Sequence, residues 1–127
     1  MGIKNLYEQE VFDHYNNPRN FGLLASYDFI SPCYNPSCGD TVIVCGVIKD
    51  NELTDITFEG KGCMLSLAMA SMLTVFAKNK SLDEVLNLDE DLVEQLLKIQ
   101  LGIKRIQCGM LSLQALQKGI KLYQEKL

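Results

Sequence analysis

The sequence lacks any segment that would carry it into or across a membrane. No apolar run is long enough to span a bilayer. Met1-Gly2-Ile3-Lys4-Asn5 does not read as a secretory signal, and Leu6 stands where an N-myristoylation motif requires Ser or Thr. The expected location is the cytoplasm, with no membrane partner. A basic cluster is also missing: 12 Lys and Arg face 16 Asp and Glu, a formal charge of −4, which argues against a nucleic-acid surface. Among five cysteines there is no C-x-x-C pair, which excludes a zinc-ribbon knuckle and a thioredoxin-type motif. The one histidine, His14, is remote in sequence from Cys38, Cys63 and Cys108, so a free-standing thiol enzyme with a histidine base is disfavoured. Neither low-complexity segments nor internal repeats occur.

What remains is a chain of 127 residues with 47% apolar composition, read as a single domain, 1–127, that buries a core without disulfide staples. In a reducing compartment its free cysteines point to metal binding or thiol chemistry. Ile3, Tyr7, Val11 and His14 recur at helical spacing, and Asn16-Asn17-Pro18 ends that helix. Three strands are expected near 26–34, 41–48 and 53–59, the last two joined by the polar hairpin Lys49-Asp50-Asn51-Glu52. Met64 to Ala77 is apolar nearly all round, the mark of a buried helix. Ser81-Leu82-Asp83-Glu84 is a capping box, and Asn87 to Glu90 repeats the offset with Asn87 as cap. Asp83, Glu84, Asp89, Glu90, Asp91 and Glu94 then read as carboxylates at helix N-termini. Leu113, Leu116, Ile120, Tyr123 and Leu127 lay one stripe of the last helix on the core. The fold class is α+β: a three-stranded antiparallel sheet with helices packed on one face.

Three cysteines stand where regular structure breaks. Asn35-Pro36-Ser37-Cys38-Gly39-Asp40 is a turn offering a thiol and, two residues on, a carboxylate. Gly60-Lys61-Gly62-Cys63 leaves a strand and enters a helix; its glycines give a sharp turn and room beside the sulfur. Cys108 is read as opening the last helix, so that Cys63 and Cys108 both enjoy the positive end of a helix dipole. Three thiolates and the Asp40 carboxylate suffice for a four-coordinate soft-metal site. One hard oxygen among sulfurs suggests a site that gives up its contents. Cys45, in mid-strand, and Cys33 are read as buried apolar residues. His14 is read as a helix-end packing or capping residue, and Met64, Met69, Met72 and Met110 as core filler.

The chain resembles, over its whole length, the iron–sulfur cluster scaffold proteins of the IscU, SufU and NifU N-terminal type. Asp13-His14-Tyr15-Asn16-Asn17-Pro18-Arg19-Asn20 looks like their N-terminal signature, and Pro36-Ser37-Cys38-Gly39-Asp40 like their first ligand turn. Gly62-Cys63, followed by Ser66, Ala68, Ala70 and Ser71, is similar to the second. Arg105-Ile106-Gln107-Cys108, with Leu111, Ala115 and Leu116, resembles the third. The resemblance implies a scaffold that receives sulfur from a cysteine desulfurase and assembles a [2Fe–2S] cluster on Cys38, Cys63 and Cys108, assisted by Asp40. It also implies transfer to apo iron–sulfur proteins, with zinc as an alternative occupant of the same ligands. Gln107 replaces the histidine that the IscU type carries before its third cysteine. Leu101-Gly102-Ile103-Lys104-Arg105 replaces a Leu-Pro-Pro-Val-Lys segment. Both changes count against a histidine ligand and a dedicated Hsp70-type chaperone. Arg105 is like the SufU type, but the SufU insertion between the second and third cysteines is absent.

Three functions follow from one residue set. The first is the cluster scaffold, with Arg105 pairing with Asp40 before metal arrives. The second is a zinc-dependent sulfurtransferase in which zinc orders the site and one of Cys38, Cys63 and Cys108 accepts sulfur. The third is a structural zinc domain serving only as an interaction module. Asp40 disfavours the third, since closed structural sites use sulfur and imidazole throughout.

Overall fold

β-Branched residues occupy all of Thr41–Ile48 except Cys45 and Gly46, and such side chains suit a pleated surface. In the computed structural model, which describes residues 6–98 and 101–127 (for 6–8, 103 and 104 the backbone alone), that segment lies in the middle strand of three. Strands β1 (Phe29–Asn35), β2 (Asp40–Lys49) and β3 (Glu52–Lys61) pair antiparallel in sequence order. Asp50 and Asn51 join β2 to β3 with φ of 51° and 65°, the left-handed pair that a two-residue hairpin of the right twist requires. At Val47/Ile48 the register shifts, leaving Thr54 as the extra, bulged residue on β3. The free edge of β3 is covered by residues 20–22: Phe58 N–H donates to the Asn20 carbonyl and Gly22 N–H to the Phe58 carbonyl. Covering an edge in this way removes a template for unwanted pairing.

Among the described residues there are five helices: α1 (Leu6–Asn16), α2 (Met64–Ala77), α3 (Leu82–Leu86), α4 (Glu90–Leu97) and α5 (Ile103–Glu125). α2 and α5 pack against the sheet and each other, whereas α1 packs on α2. Close contact between α5 and β1 depends on Phe29. Its ring lies against Gly119 and Gly46, and a Cβ at either glycine would come within about 2.5 Å of it. The core behind it joins Val42, Val44, Ile56 and Phe58 of the sheet to Met69, Leu73, Leu113, Leu116 and Ile120 of the helices.

α2 carries three hydroxyls in its apolar sequence, Ser66, Ser71 and Thr74, all buried. A buried hydroxyl needs a partner, and each has one from a distant segment. Ser71 Oγ accepts from Arg19 N–H at 2.9 Å and lies 2.7 Å from His14 Nδ1. Thr74 Oγ1 accepts from Asn20 Nδ2 at 3.1 Å. The Asp13–Asn20 segment is thereby tied to α2, and His14 ends α1 as a packing residue. Ser66 turns towards the cysteines.

Several expectations need correction. α5 begins at Ile103, with Gly102 as its N-cap, so Cys108 lies in its second turn instead of opening it. Asn87 is the C-cap of α3, its side chain donating to the Asp83 carbonyl, and the N-cap of α4 is Asp89, which accepts from Asp91 N–H. Asp89 takes the cap because it sits directly before the helix, where its carboxylate reaches the second N–H of α4. Ser81 and Glu84 do form the expected capping box. Glu94 lies beyond the first turn of α4 and accepts from Leu101 N–H. Leu127 is 84% exposed and leaves the core stripe. Ile3 and the side chain of Tyr7 lie outside the described residues. No helix among the described residues is long and apolar enough to cross a membrane.

Candidate metal centre

The first two candidate ligands are set by a hairpin turn. Asn35 and Asp40 are paired across β1 and β2, leaving residues 36–39 as the loop. The Asn35 side chain accepts from Ser37 N–H at 3.0 Å, and its carbonyl accepts from Gly39 N–H at 2.8 Å. Gly39 has φ of +77°, a conformation open to glycine at no steric cost. The turn lifts Cys38 into solvent and returns Asp40, on the inner face of β2, to 4% exposure.

Cys63 is the N-cap of α2 and is exposed. Gly62 before it has no left-handed backbone; its role is room. A Cβ there would stand 2.5 Å from Asp40 Cγ and 2.8 Å from Asp40 Oδ1. The space thus accommodates the carboxylate, where the sequence had suggested clearance for the sulfur. Cys108 approaches from α5, half-buried, with its Sγ 3.6 Å from that of Cys38. One ligand atom from each of Cys38, Asp40 and Cys108 lies within 4.8 Å of the others. Cys63 adjoins this group: its Sγ is 3.5 Å from Ser66 Oγ, whose hydroxyl in turn donates to the Asp40 carboxylate.

The electrostatics follow from crowding. Burial works against ionisation of Asp40, but hydrogen bonds from Ser66, from the Cys63 thiol and N–H, and from the Cys38 thiol outweigh it, and its carboxyl stays below its ordinary value. Burial, the Cys38 hydrogen bond and repulsion from Cys63 and Cys38 push the Cys108 thiol up to about 12. Its place in the second turn, past the reach of the α5 dipole, gives no relief. Three thiolates and a carboxylate at these separations repel strongly, and a bound cation is what allows all of them to ionise. The donor set, two sulfurs and one oxygen around a common point with Cys63 beside them, fits zinc or an iron–sulfur unit.

The remaining candidates lie elsewhere. Arg105 is exposed and makes no ion pair with Asp40, because Ser66 and the cysteines already fill the positions around that buried carboxylate. Cys45 is fully buried. Cys33 packs against the core with its Sγ 3.9 Å from Gln114 Oε1. Met69 and Met72 are core residues and Met110 packs against that core, whereas Met64 is half-buried at the start of α2 and does not fill it; His14 bonds Ser71. Ser66 is the site residue that sequence reasoning passed over. Its signal was a hydroxyl amid apolar neighbours three residues after Cys63.

Comparison with known proteins adds the family. The model of the NifU-like N terminal domain matches residues 6–127. The chain belongs to that family. This NifU-like domain is 36% identical over 121 residues, covering 95% of this chain and 78% of the relative, to iron–sulfur cluster assembly scaffold protein IscU 1 of Archaeoglobus fulgidus. It is 33% identical over 135 residues to the zinc-dependent sulfurtransferase SufU of Bacillus subtilis, covering 93% of this chain and 91% of that protein. The crystal structure of the N-terminal part of a NifU-like protein from Brucella abortus superposes with a TM-score of 0.79 at 23% identity, covering 96% of both chains, and shows the same fold.

Proposed function

We propose that this NifU-like protein is an iron–sulfur cluster assembly scaffold. Its cysteines Cys38, Cys63 and Cys108, with Asp40, hold a [2Fe–2S] unit as cargo. The observation that carries this reading is the convergence of Cys38, Asp40 and Cys108 to within 4.8 Å, beside Cys63, at the surface. The exposed thiols are where sulfur enters. A thiolate of Cys38 or Cys63 attacks the terminal sulfur of a persulfide carried by a cysteine desulfurase. The new S–S bond forms as the donor's cysteine leaves as a thiolate, so no external oxidant is required. Asp40, a hard oxygen donor, is the ligand that yields when the cluster passes to an apo-protein.

A second reading is favoured by the similarity to SufU: zinc held by the same four residues, with one cysteine accepting sulfur as its persulfide. Anaerobic reconstitution with ferrous iron, cysteine, a desulfurase and a thiol reductant, which reduces the persulfide sulfur to sulfide, separates the two. The scaffold reading expects a visible [2Fe–2S] spectrum that Cys38→Ala, Cys63→Ala and Cys108→Ala each abolish. Persulfide turnover that requires zinc, with no cluster spectrum, would overturn it in favour of the sulfurtransferase.

A further inference from the structure

Ser66 is fully buried on α2, and its single hydroxyl faces three groups of the site. Its Oγ lies 2.7 Å from Asp40 Oδ2, 3.2 Å from the Cys108 carbonyl oxygen and 3.5 Å from Cys63 Sγ. A serine within a helix ordinarily returns its hydrogen to a carbonyl one turn back. Ser66 instead reaches partners 26 and 42 residues away. Both oxygens are acceptors, and a hydroxyl has one hydrogen, so one of them at a time can take it. The shorter distance and the negative charge give it to Asp40. The Cys108 carbonyl stands as second acceptor, on the residue that supplies one of the sulfurs. The bare backbone of Gly62 also lies against the carboxylate, with no space for a Cβ.

We propose that Ser66 is a positioning residue for Asp40: its hydroxyl aims the carboxylate at the three cysteines and turns to the Cys108 carbonyl when the carboxylate moves away. Asp40 then enters and leaves the coordination sphere without stranding a buried O–H. This rests on the reading of the site as one that binds metal or cluster, and it assigns to one side chain the ease with which the fourth ligand exchanges.

The test is a double-mutant cycle on the zinc-loaded protein, following zinc release to excess chelator. Ser66→Ala is expected to speed release on the order of tenfold, the scale of losing a group that orients a metal ligand. In an Asp40→Ala background the same change should have no further effect, because nothing remains to be positioned. Cobalt(II) supplies a readout that packing would not move. Its visible bands should shift between the parent and Ser66→Ala, but not between Asp40→Ala and the double variant. Equal acceleration by Ser66→Ala with and without Asp40 would show a packing role and overturn the proposal, as would unchanged release in the single variant. If Ser66→Ala fails to fold, Ser66→Cys, which keeps the volume and only a weak donor, enters the same cycle with the same expected outcome, and an unchanged cobalt–thiolate band intensity checks that the substituted side chain does not bind the metal. A parent protein that binds no zinc or cobalt would overturn the metal-site reading itself. Metal binding with an additive cycle would overturn this proposal alone.

Discussion

The sulfurs of Cys38 and Cys108 lie 3.6 Å apart, although 70 residues separate them in sequence. A hairpin turn delivers one and the second turn of the longest helix delivers the other. Thiols held this close resist ionising together, which suits the site to a cation. The buried Asp40 carboxylate beneath them adds to that preference.

Site cysteines and core cysteines should therefore separate cleanly. Cys38→Ala is expected to abolish zinc or cluster retention while leaving the metal-free protein as stable as the parent, since Cys38 is exposed. Cys45→Ala should cost about 1 kcal/mol through a small cavity, with metal content unchanged. Metal analysis paired with urea unfolding checks both. Loss of metal in Cys45→Ala would contradict the assignment.

Gly39 holds the ligand turn in a left-handed conformation. Gly39→Ala is expected to destabilise the metal-free protein by roughly 1–2 kcal/mol. It should also weaken zinc binding, because the strained residue lies between Cys38 and Asp40. Unfolding midpoints and competition with a chelator measure the two effects, and normal zinc affinity in this variant would mean that the turn does not set ligand geometry.

Acid should loosen the tie between α1 and α2. Burial, with Arg19 adding to it and Glu10 and Asp13 opposing, lowers the His14 pKa. The neutral ring is thus the folded form, while the unfolded chain titrates near the ordinary value of about 6.5. Its stabilising contribution is complete above that value and is lost as pH falls through the depressed folded value. The urea midpoint should drop between about pH 7.5 and pH 5, and by less in His14→Gln than in the parent. Equal drops would remove His14 from the account.

Asp40→Cys tests the idea of a ligand meant to let go. A fourth thiolate is a softer and more persistent donor for zinc. Chelator-driven zinc release should be slower than in the parent, and cluster transfer to an apo-protein slower too. Faster release would show that the carboxylate is the stronger ligand in this setting.

Much of this was legible from local chemistry. The Ser81–Glu84 box, the Asp50-Asn51 hairpin and the bounds of α2 follow from residues adjacent in sequence. α5 was read as starting late because Lys104, Arg105 and Gln107 dilute its first turns, and its Gly102 cap offers no side chain to signal a start. Cys38 and Cys63 could be picked by their glycines and turns, whereas Cys108 was picked on a helix start that lies five residues earlier. Their convergence could be expected only through resemblance, because strand pairing and helix packing bring them together across the fold. Ser66 and Gly62 escaped for the same reason: both act on Asp40, and their role is set by contact, not by spacing.

The most direct test of the central claim is the iron and acid-labile sulfide content of protein purified and reconstituted without oxygen. The account predicts iron and sulfide in equal amounts on the parent protein and neither on Cys108→Ala. Zinc alone, with no sulfide after reconstitution with iron, cysteine and a desulfurase, would contradict it.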